Sequence, residues 1–175
     1  MRTFLVSVAV AALLAACSPP ASQDTAERPG EPPAVAACND IAPNAARQVS
    51  VGDEVVTAAA AADLRGGSIA PGTYDLTSVT RVGSPTGWTG TRSVSLAVSE
   101  EVNGGVIFNW SGAPPSGERD TWTASFTEAP QPHITFTCGR IGGADIDFAV
   151  EGNALLLRMP DGATGALALS FERRP

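Results

Sequence analysis

The sequence predicts an all-β protein, an eight-stranded antiparallel up-and-down barrel, from two observations. Polar and apolar residues alternate over most of residues 72–174, so that Val94, Leu96 and Val98 share one face of the segment 91–99. Glycine, proline and asparagine separate the alternating segments by short connectors, which makes consecutive strands antiparallel neighbours. Eight such strands close into a ring without free edges. A β-sandwich of two sheets shows the same alternation and is the alternative.

Each predicted strand is an alternating run that ends at a turn signal. The eight runs are residues 72–81, 91–99, 105–111, 119–127, 133–138, 144–151, 154–159 and 165–173. Their opposite face is rich in serine and threonine, so we expect that face to contact water. The predicted interior face carries Tyr74, Leu76, Val94, Leu96, Val98, Val106, Phe108, Trp110, Trp122, Phe126, Ile134, Phe136, Ile146, Phe148, Val150, Leu155, Leu157, Leu167, Leu169 and Phe171.

The segment that precedes the barrel, residues 38–71, has a weaker pattern. Residues 48–51 are predicted to form a short strand. Asp53 suits a helix N-cap, and an alanine run followed by two glycines continues and ends the pattern, which predicts one short helix at 55–64. The β-branched residues at 55–57 favour a strand instead, and this alternative remains open.

The first sixteen residues, 1–16, have the composition of an export signal. Arg2 precedes the apolar run 4–13, which is too short to span a bilayer as a helix. The tetrad Leu14-Ala15-Ala16-Cys17 resembles the lipobox of bacterial lipoproteins. The resemblance implies cleavage before Cys17, a thioether-linked diacylglycerol on its sulfur and an acyl chain, such as palmitate, on its new amino group. Two or more acyl chains hold a protein stably on a membrane.

The lipoprotein resemblance also implies an address in the cell envelope. Ser18 follows the cysteine, and in enteric lipoproteins a residue other than aspartate there indicates the outer membrane, facing the periplasm. Residues 17–37 comprise the lipidated cysteine and a proline-rich tether with little to bury, so we expect a solvated segment. Residues 38–175 are then a single domain, the extension 38–71 followed by the barrel 72–174. We expect this domain to be anchored to the membrane without spanning it.

Two cysteines remain once Cys17 is assigned to the lipid anchor. Cys38 and Cys138 form an even pair in a chain exported to an oxidising compartment, which predicts a disulfide. Cys138 ends the fifth predicted strand, whereas Gly72 begins the first strand at the opposite end of the barrel. If the bond forms, residues 39–71 must therefore run along the height of the barrel.

The start of the first predicted strand, Gly72-Thr73-Tyr74, resembles the Gly-x-Trp motif of the lipocalin and calycin group, with tyrosine in place of tryptophan. In that family an arginine near the last strand packs over the aromatic ring, and Arg173 or Arg174 matches this position. The family's second loop motif is absent from this sequence. The resemblance implies a small closed barrel.

Composition argues against several classes of chemistry. The net charge is −7, and there is no basic stripe for nucleic acid. His133 is the only histidine, which leaves a catalytic triad or a zinc site without its other members. Asp145, Asp147 and Glu151 are spread along a strand, so we interpret them as a solubilising stripe rather than a calcium site. We predict a protein that is not an enzyme and that binds no cofactor or metal.

Aromatic residues supply the remaining functional hypothesis. Tyr74, Trp110, Trp122 and Phe126 are predicted to point into one interior, and Trp88 lies in the loop 83–90 at one barrel mouth. Barrels of this size hold at most one small ligand, which predicts a carrier of a small apolar molecule bound by these five residues. The alternative is a structural or protein-contact module of the envelope, with a filled interior and an exposed Trp88.

Overall fold

Eleven β-strands form the fold of the residues that the computed structural model describes, namely 37–51, 55–57 and 64–175. These ranges contain no helix, and they all belong to one compact unit, Val35–Pro175. The strands are β1 (Val49–Val51), β2 (Val55–Val56), β3 (Gly72–Ser84), β4 (Gly90–Glu100), β5 (Val106–Ala113), β6 (Asp120–Thr127), β7 (His133–Cys138), β8 (Gly143–Asp145), β9 (Asp147–Glu151), β10 (Ala154–Pro160) and β11 (Thr164–Arg173).

The strands form an antiparallel, nearly closed barrel, which confirms the predicted all-β class. Pairing runs from β3 through β4, β5, β6 and β7 to β8, and from β3 through β11 and β10 to β9. Such a continuous path around one interior is that of a barrel rather than of two separate sheets. Nine strands lie on this path instead of the predicted eight, because the predicted strand 144–151 is divided at Ile146 into β8 and β9.

The division at Ile146 follows from the short length of β7. Asp145 is paired with His133, the first residue of β7, so the chain beyond it has no partner strand on that side. The Ile146 N–H donates instead to the Pro132 carbonyl at 3.0 Å. The exposed edge of β9 is partly covered by Gly66, whose N–H donates to the Phe148 carbonyl at 2.7 Å. Covering a free edge in this way protects it from pairing with other chains.

The pairing is also incomplete between β3 and β4. These two strands pair only over residues 72–75 and then diverge. Towards the other end β1 pairs with β4 and β2 pairs in parallel with β3, so the extension fills the wedge. The predicted strand at 48–51 is confirmed as β1. The helix predicted at 55–64 is wrong at its start, where two β-branched valines pair with the unpaired edge of β3; residues 58–63 lie outside the described residues.

The predicted interior residues all belong to one apolar core. Among them only Val106, Phe136 and Val150 are half-buried, and the rest are buried. Ala124 and Ile69 join the same core, the second from the extension. The period of two therefore identifies the dry face of every strand of the ring.

The outer face is not uniformly wet, contrary to expectation. Asp75 and Ser95 point outward but are buried, at 2% and 0% exposed. The Asp75 carboxylate accepts a bidentate pair from the Arg174 guanidinium at 2.7 and 2.9 Å. The Asn44 side-chain amide and the Ser95 hydroxyl also donate to it, both at 2.7 Å. This set, the Asp75 cluster, ties the extension and the C-terminus to β3 and β4.

Electrostatics in the Asp75 cluster favour the charged carboxylate. Burial by itself would raise the pKa of Asp75, but the hydrogen bonds from Arg174, Asn44 and Ser95 outweigh it. The pKa of this carboxyl is lowered from 3.8 to about 2. Asp75 in turn raises the pKa of Arg174. A buried carboxylate with charge-assisted, bidentate partners is the strong form of such a contact.

The predicted disulfide between Cys38 and Cys138 is present, with the two Cα atoms 5.6 Å apart. The Asn39 side chain then crosses β5 and β6 and donates to the Trp110 carbonyl at 3.0 Å. Further along the extension, Arg47 pairs with Glu172 at 2.7 Å, beside the end where Gly72 begins β3. The extension thus runs along the height of the barrel, as expected. A bond closing a loop of this length contributes up to ~4.7 kcal/mol in the chain-entropy model.

Several predictions concern residues outside the described part of the chain. The signal peptide, the lipidated Cys17 and the tether up to residue 36 belong to this group. Within the described ranges, no helix has both the length and the apolar character needed to cross a membrane.

Asp75→Asn tests the cluster through the pH dependence of stability. The folded pKa lies below the unfolded value of about 3.9, so the contribution is fully present above about pH 4 and is lost as the pH falls towards 2. We expect the substitution to lower the free energy of unfolding at pH 7 by about 2 kcal/mol. The free energy of unfolding of the variant, measured by urea denaturation, should also fall less than that of the wild type between pH 4 and pH 2. The exposed Asp145→Asn is the control, and an unchanged acid slope in Asp75→Asn would contradict the assignment.

Candidate ligand-binding site at the barrel mouth

The three tryptophans of the chain meet at one end of the barrel. Trp110 on β5 and Trp122 on β6 are directly paired across neighbouring strands and both face inward. Their rings therefore stack, with centroids 5.3 Å apart and planes 11° apart. Trp88, in the loop between β3 and β4, folds back over the mouth and meets Trp110 edge-on at 6.1 Å. The half-buried Trp88 thus closes over two buried indoles.

A cavity of about 270 Å³ lies among these rings, and we call it the tryptophan pocket. Its volume lies just below the range of about 300–1,000 Å³ that is typical of ligand sites. Met159 and Leu167 add apolar lining, whereas charged side chains surround the opening. The charged lining residues are Arg92, Asp120, Arg140 and Asp161.

Two arginines stand over tryptophan rings. The guanidinium of Arg92 is 5.2 Å from the centre of the Trp88 ring, and that of Arg140 is 5.7 Å from the centre of the Trp122 ring. These are distances of cation–π contacts. Arg140 also pairs with Asp120 at 3.3 Å. Its charge is therefore compensated within the lining itself.

The disulfide positions Arg140. Cys138 ends β7 and is tied to Cys38, so the next two residues leave the strand from a fixed point. Gly139 has φ +79°, and a Cβ there would collide with the Thr121 carbonyl oxygen. Only glycine lets the chain turn so close to β6. The turn directs Arg140 back over the barrel mouth.

A contact between two loops positions Trp88. The Gly87 N–H donates to the Asp161 carboxylate at 2.9 Å, which joins the β3–β4 loop to the β10–β11 loop. A Cβ at residue 87 would lie 2.5 Å from Asp161 Oδ1. A methyl group at residue 87 would therefore force the Asp161 carboxylate to shift and would disturb this contact, which lies next to Trp88.

The indole N–H groups of Trp88, Trp110 and Trp122 are all buried without a hydrogen-bond partner in the protein. Leaving a buried donor unpaired costs about 1–3 kcal/mol for each group. Phenylalanine would fill most of the same space without that cost. Packing alone therefore does not explain three tryptophans at this mouth.

The five aromatic residues predicted to bind ligand separate into two groups. The three tryptophans line the tryptophan pocket, but Tyr74 and Phe126 do not. The Tyr74 hydroxyl donates to the Ala70 carbonyl at 2.6 Å. Phe126 stacks on Phe108 with centroids 5.2 Å apart, deep in a part of the interior that side chains fill.

The sequence reasoning missed the charged lining residues, although a signal for them was present. Arg92 lies two residues before Val94, and Asp120 two residues before Trp122, so the same alternation puts both on the interior face. Arg140 and Asp161 lie in connectors that antiparallel order assigns to the end where Trp88 lies. Continuing the alternation to the ends of the strands would have found Arg92 and Asp120, and the order of the connectors would have found Arg140 and Asp161.

The other polar residues considered for chemistry lie on the outside. His133 Nδ1 is 2.7 Å from Asp145 Oδ1, and both side chains are exposed. Asp147 pairs with Arg158 at 2.6 Å. Across the described ranges, no group of three or more His, Cys, Asp or Glu side chains is arranged to hold a metal ion.

Comparison with known proteins does not assign a function, so the proposal below depends on the geometry of the site. Family models, curated proteins and solved structures contain no match to this chain. The small, nearly closed barrel is compatible with the lipocalin resemblance. A Cβ at Gly72 would lie 3.2 Å from Arg173 Cδ, so this arginine lies beside the Gly72-Thr73-Tyr74 motif, whereas Arg174 turns outward to Asp75.

Gly87→Ala tests how Trp88 is held. The added methyl group should push the loop away from Asp161, and the indole N–H resonance of Trp88 should shift strongly in NMR spectra. The double variant Gly87→Ala with Asp161→Ala removes the colliding carboxylate. It should return the Trp88 indole resonance and the melting temperature towards the values of Asp161→Ala alone. Independent, additive effects of the two substitutions would show that the loops are not coupled.

Proposed function

We propose that this protein is a membrane-anchored, non-enzymatic lipoprotein of the cell envelope that binds one small, largely apolar molecule in the tryptophan pocket. The proposal combines the lipobox at Cys17 with the geometry of the barrel mouth. The predicted address, the outer membrane facing the periplasm, is part of it.

The observation that carries the proposal is one cavity lined by three indole rings, with Met159 and Leu167 beside them. A ligand that brings apolar surface into this cavity would bury it against the rings. Of the three tryptophans that line the pocket, Trp88 is the one that can move aside, because it lies in a loop whereas Trp110 and Trp122 lie in paired strands. Entry of a ligand past Trp88 would bring it against the other two rings.

The finer architecture belongs to the same proposal. We treat β8 and β9 as one strand interrupted at Ile146, which makes the ring an eight-stranded up-and-down barrel of lipocalin type. In such barrels, small molecules enter at one open end. The tryptophan pocket occupies an end of this kind.

The tether gives the pocket a relation to the membrane. Cys38 is bonded to Cys138 at the pocket end, so the chain that leads back to Cys17 leaves the domain there. The sequence predicts a solvated, proline-rich tether of about 20 residues between Cys17 and this point. The proposed binding site would therefore remain within reach of the membrane surface, where apolar molecules concentrate.

A structural or protein-contact module is the second candidate, and the filled interior supports it. Phe126 stacks on Phe108 and meets Phe148 edge-on at 5.3 Å, so aromatic side chains pack against one another in this part of the core. An exposed Trp88 would favour this candidate further, but the residue is half-buried against Trp110. The pocket at the mouth favours ligand binding.

Native mass spectrometry of the full-length protein, purified in mild detergent from the organism that makes it, tests the proposal. We expect a fraction of the molecules to carry one additional small molecule. Trp88→Ala should lose this adduct because the movable wall is removed. Val102→Ala, which trims an exposed side chain between β4 and β5, should keep it. The same bare mass for wild type and both variants would favour the contact module.

A further inference from the structure

We infer that the tryptophan pocket selects a small organic anion, an apolar body carrying one carboxylate, and that Arg92 is the residue that binds this carboxylate. The inference rests on the proposed function, since it names the chemical class of the pocket's ligand. It arises from the charges around the mouth rather than from the apolar lining.

Arg92 is half-buried at the pocket and has no carboxylate partner among the described residues. Arg158, which is also half-buried, is paired with Asp147. Removing a guanidinium from water without a counter-ion is unfavourable. The ring of Trp88 compensates only part of this loss, because a cation–π contact is worth about 0.5–2 kcal/mol.

The contact with Trp88 leaves the hydrogen-bonding groups of Arg92 available, since none of them is bonded to an acceptor among the described residues. A guanidinium carries five N–H donors in one plane. Carboxylates bind such an edge through two parallel hydrogen bonds. Arg92 lies on β4, and pairing with Val49 of β1 fixes its backbone. The binding group is thus held on a strand, not on a mobile loop.

The other charged groups at the mouth do not offer an equivalent site. Arg140 is already paired with Asp120. The Asp161 carboxylate also lines the pocket, but it accepts the Gly87 N–H and is held against the loop backbone. Arg92 is therefore the cation of this lining that has no paired carboxylate, and Trp110 and Leu167 supply apolar surface in the same pocket. A molecule with a negative charge at one end and an apolar body matches this lining, with the charge at Arg92 and the apolar body against Trp110 and Leu167.

Three probes of one shape separate the alternatives: 2-naphthoate, 2-naphthylmethanol and 2-naphthylmethylammonium, which are anionic, neutral and cationic. Each is titrated into the full-length protein in nanodiscs of zwitterionic lipid, with empty nanodiscs as background. The readout is the NMR shift of the indole N–H resonances, because all three tryptophans line the pocket. We expect 2-naphthoate to bind at least tenfold more tightly than the neutral probe.

Arg92→Gln should weaken binding of 2-naphthoate about tenfold and leave the neutral probe unchanged. Arg92→Lys, which keeps the charge, should retain the preference for the anion. Arg47→Gln is the matched control, because it removes the same charge at the far end of the barrel. Naphthoate affinity should be the same in Arg47→Gln as in the wild type.

The possible failures are distinguishable. Equal affinity for the anionic and neutral probes, tighter binding of the cation, or an unchanged preference in Arg92→Gln would overturn the inference while leaving a ligand site. If none of the probes shifts the indole resonances in a saturable way, both the inference and the proposed function fail.

Discussion

One interior shared by all the strands of the ring is the constraint from which the other features of this protein follow. Each strand can bury only every second residue, and the nearly closed pairing from β3 round to β11 directs these residues to the same space. Phenylalanines pack against one another in part of that space, as the stack of Phe108 on Phe126 illustrates. At the mouth, the same rule brings Trp110 and Trp122 face to face, and a loop adds Trp88.

The extension makes this ring possible, because β3 and β4 separate after residue 75 and leave a wedge. Strands β1 and β2 fill it, and the polar residues that the extension covers then need partners of their own. The Asp75 cluster supplies those partners through Arg174, Asn44 and Ser95. An outward-facing carboxylate has thereby become a buried structural element. The disulfide fixes the other end of the same segment and, with it, the place of Arg140.

Much of this architecture could be predicted from the alternation of polar and apolar residues, because in a barrel every second residue of a strand points into the interior. The sequence pattern could not predict which outward-facing residues the extension covers, because that depends on contacts between distant parts of the chain. Ser95 and Asp75 have the sequence pattern of a wet face, and only the path of the extension over them makes them buried. The strand break at Ile146 likewise depends on where β7 ends, and not on residue 146 itself.

The candidate site was predictable in its aromatic part and not in its polar part. The three tryptophans are easily recognised in the sequence as candidate ligand-binding residues. The role of Arg92, in contrast, depends on its distances to the carboxylates around it, and these distances cannot be read from the sequence. Tyr74 is an aromatic residue for which the predicted role was wrong. It points inward as predicted, but its hydroxyl donates to the Ala70 carbonyl and its side chain does not line the tryptophan pocket.

A crystal structure of the protein isolated from its own organism, without denaturation, would test the central claim most directly. The account predicts continuous electron density for one small molecule in the tryptophan pocket, in contact with Trp88 and Trp110. A pocket that holds only ordered water, with the indole N–H groups bonded to it, would contradict the account.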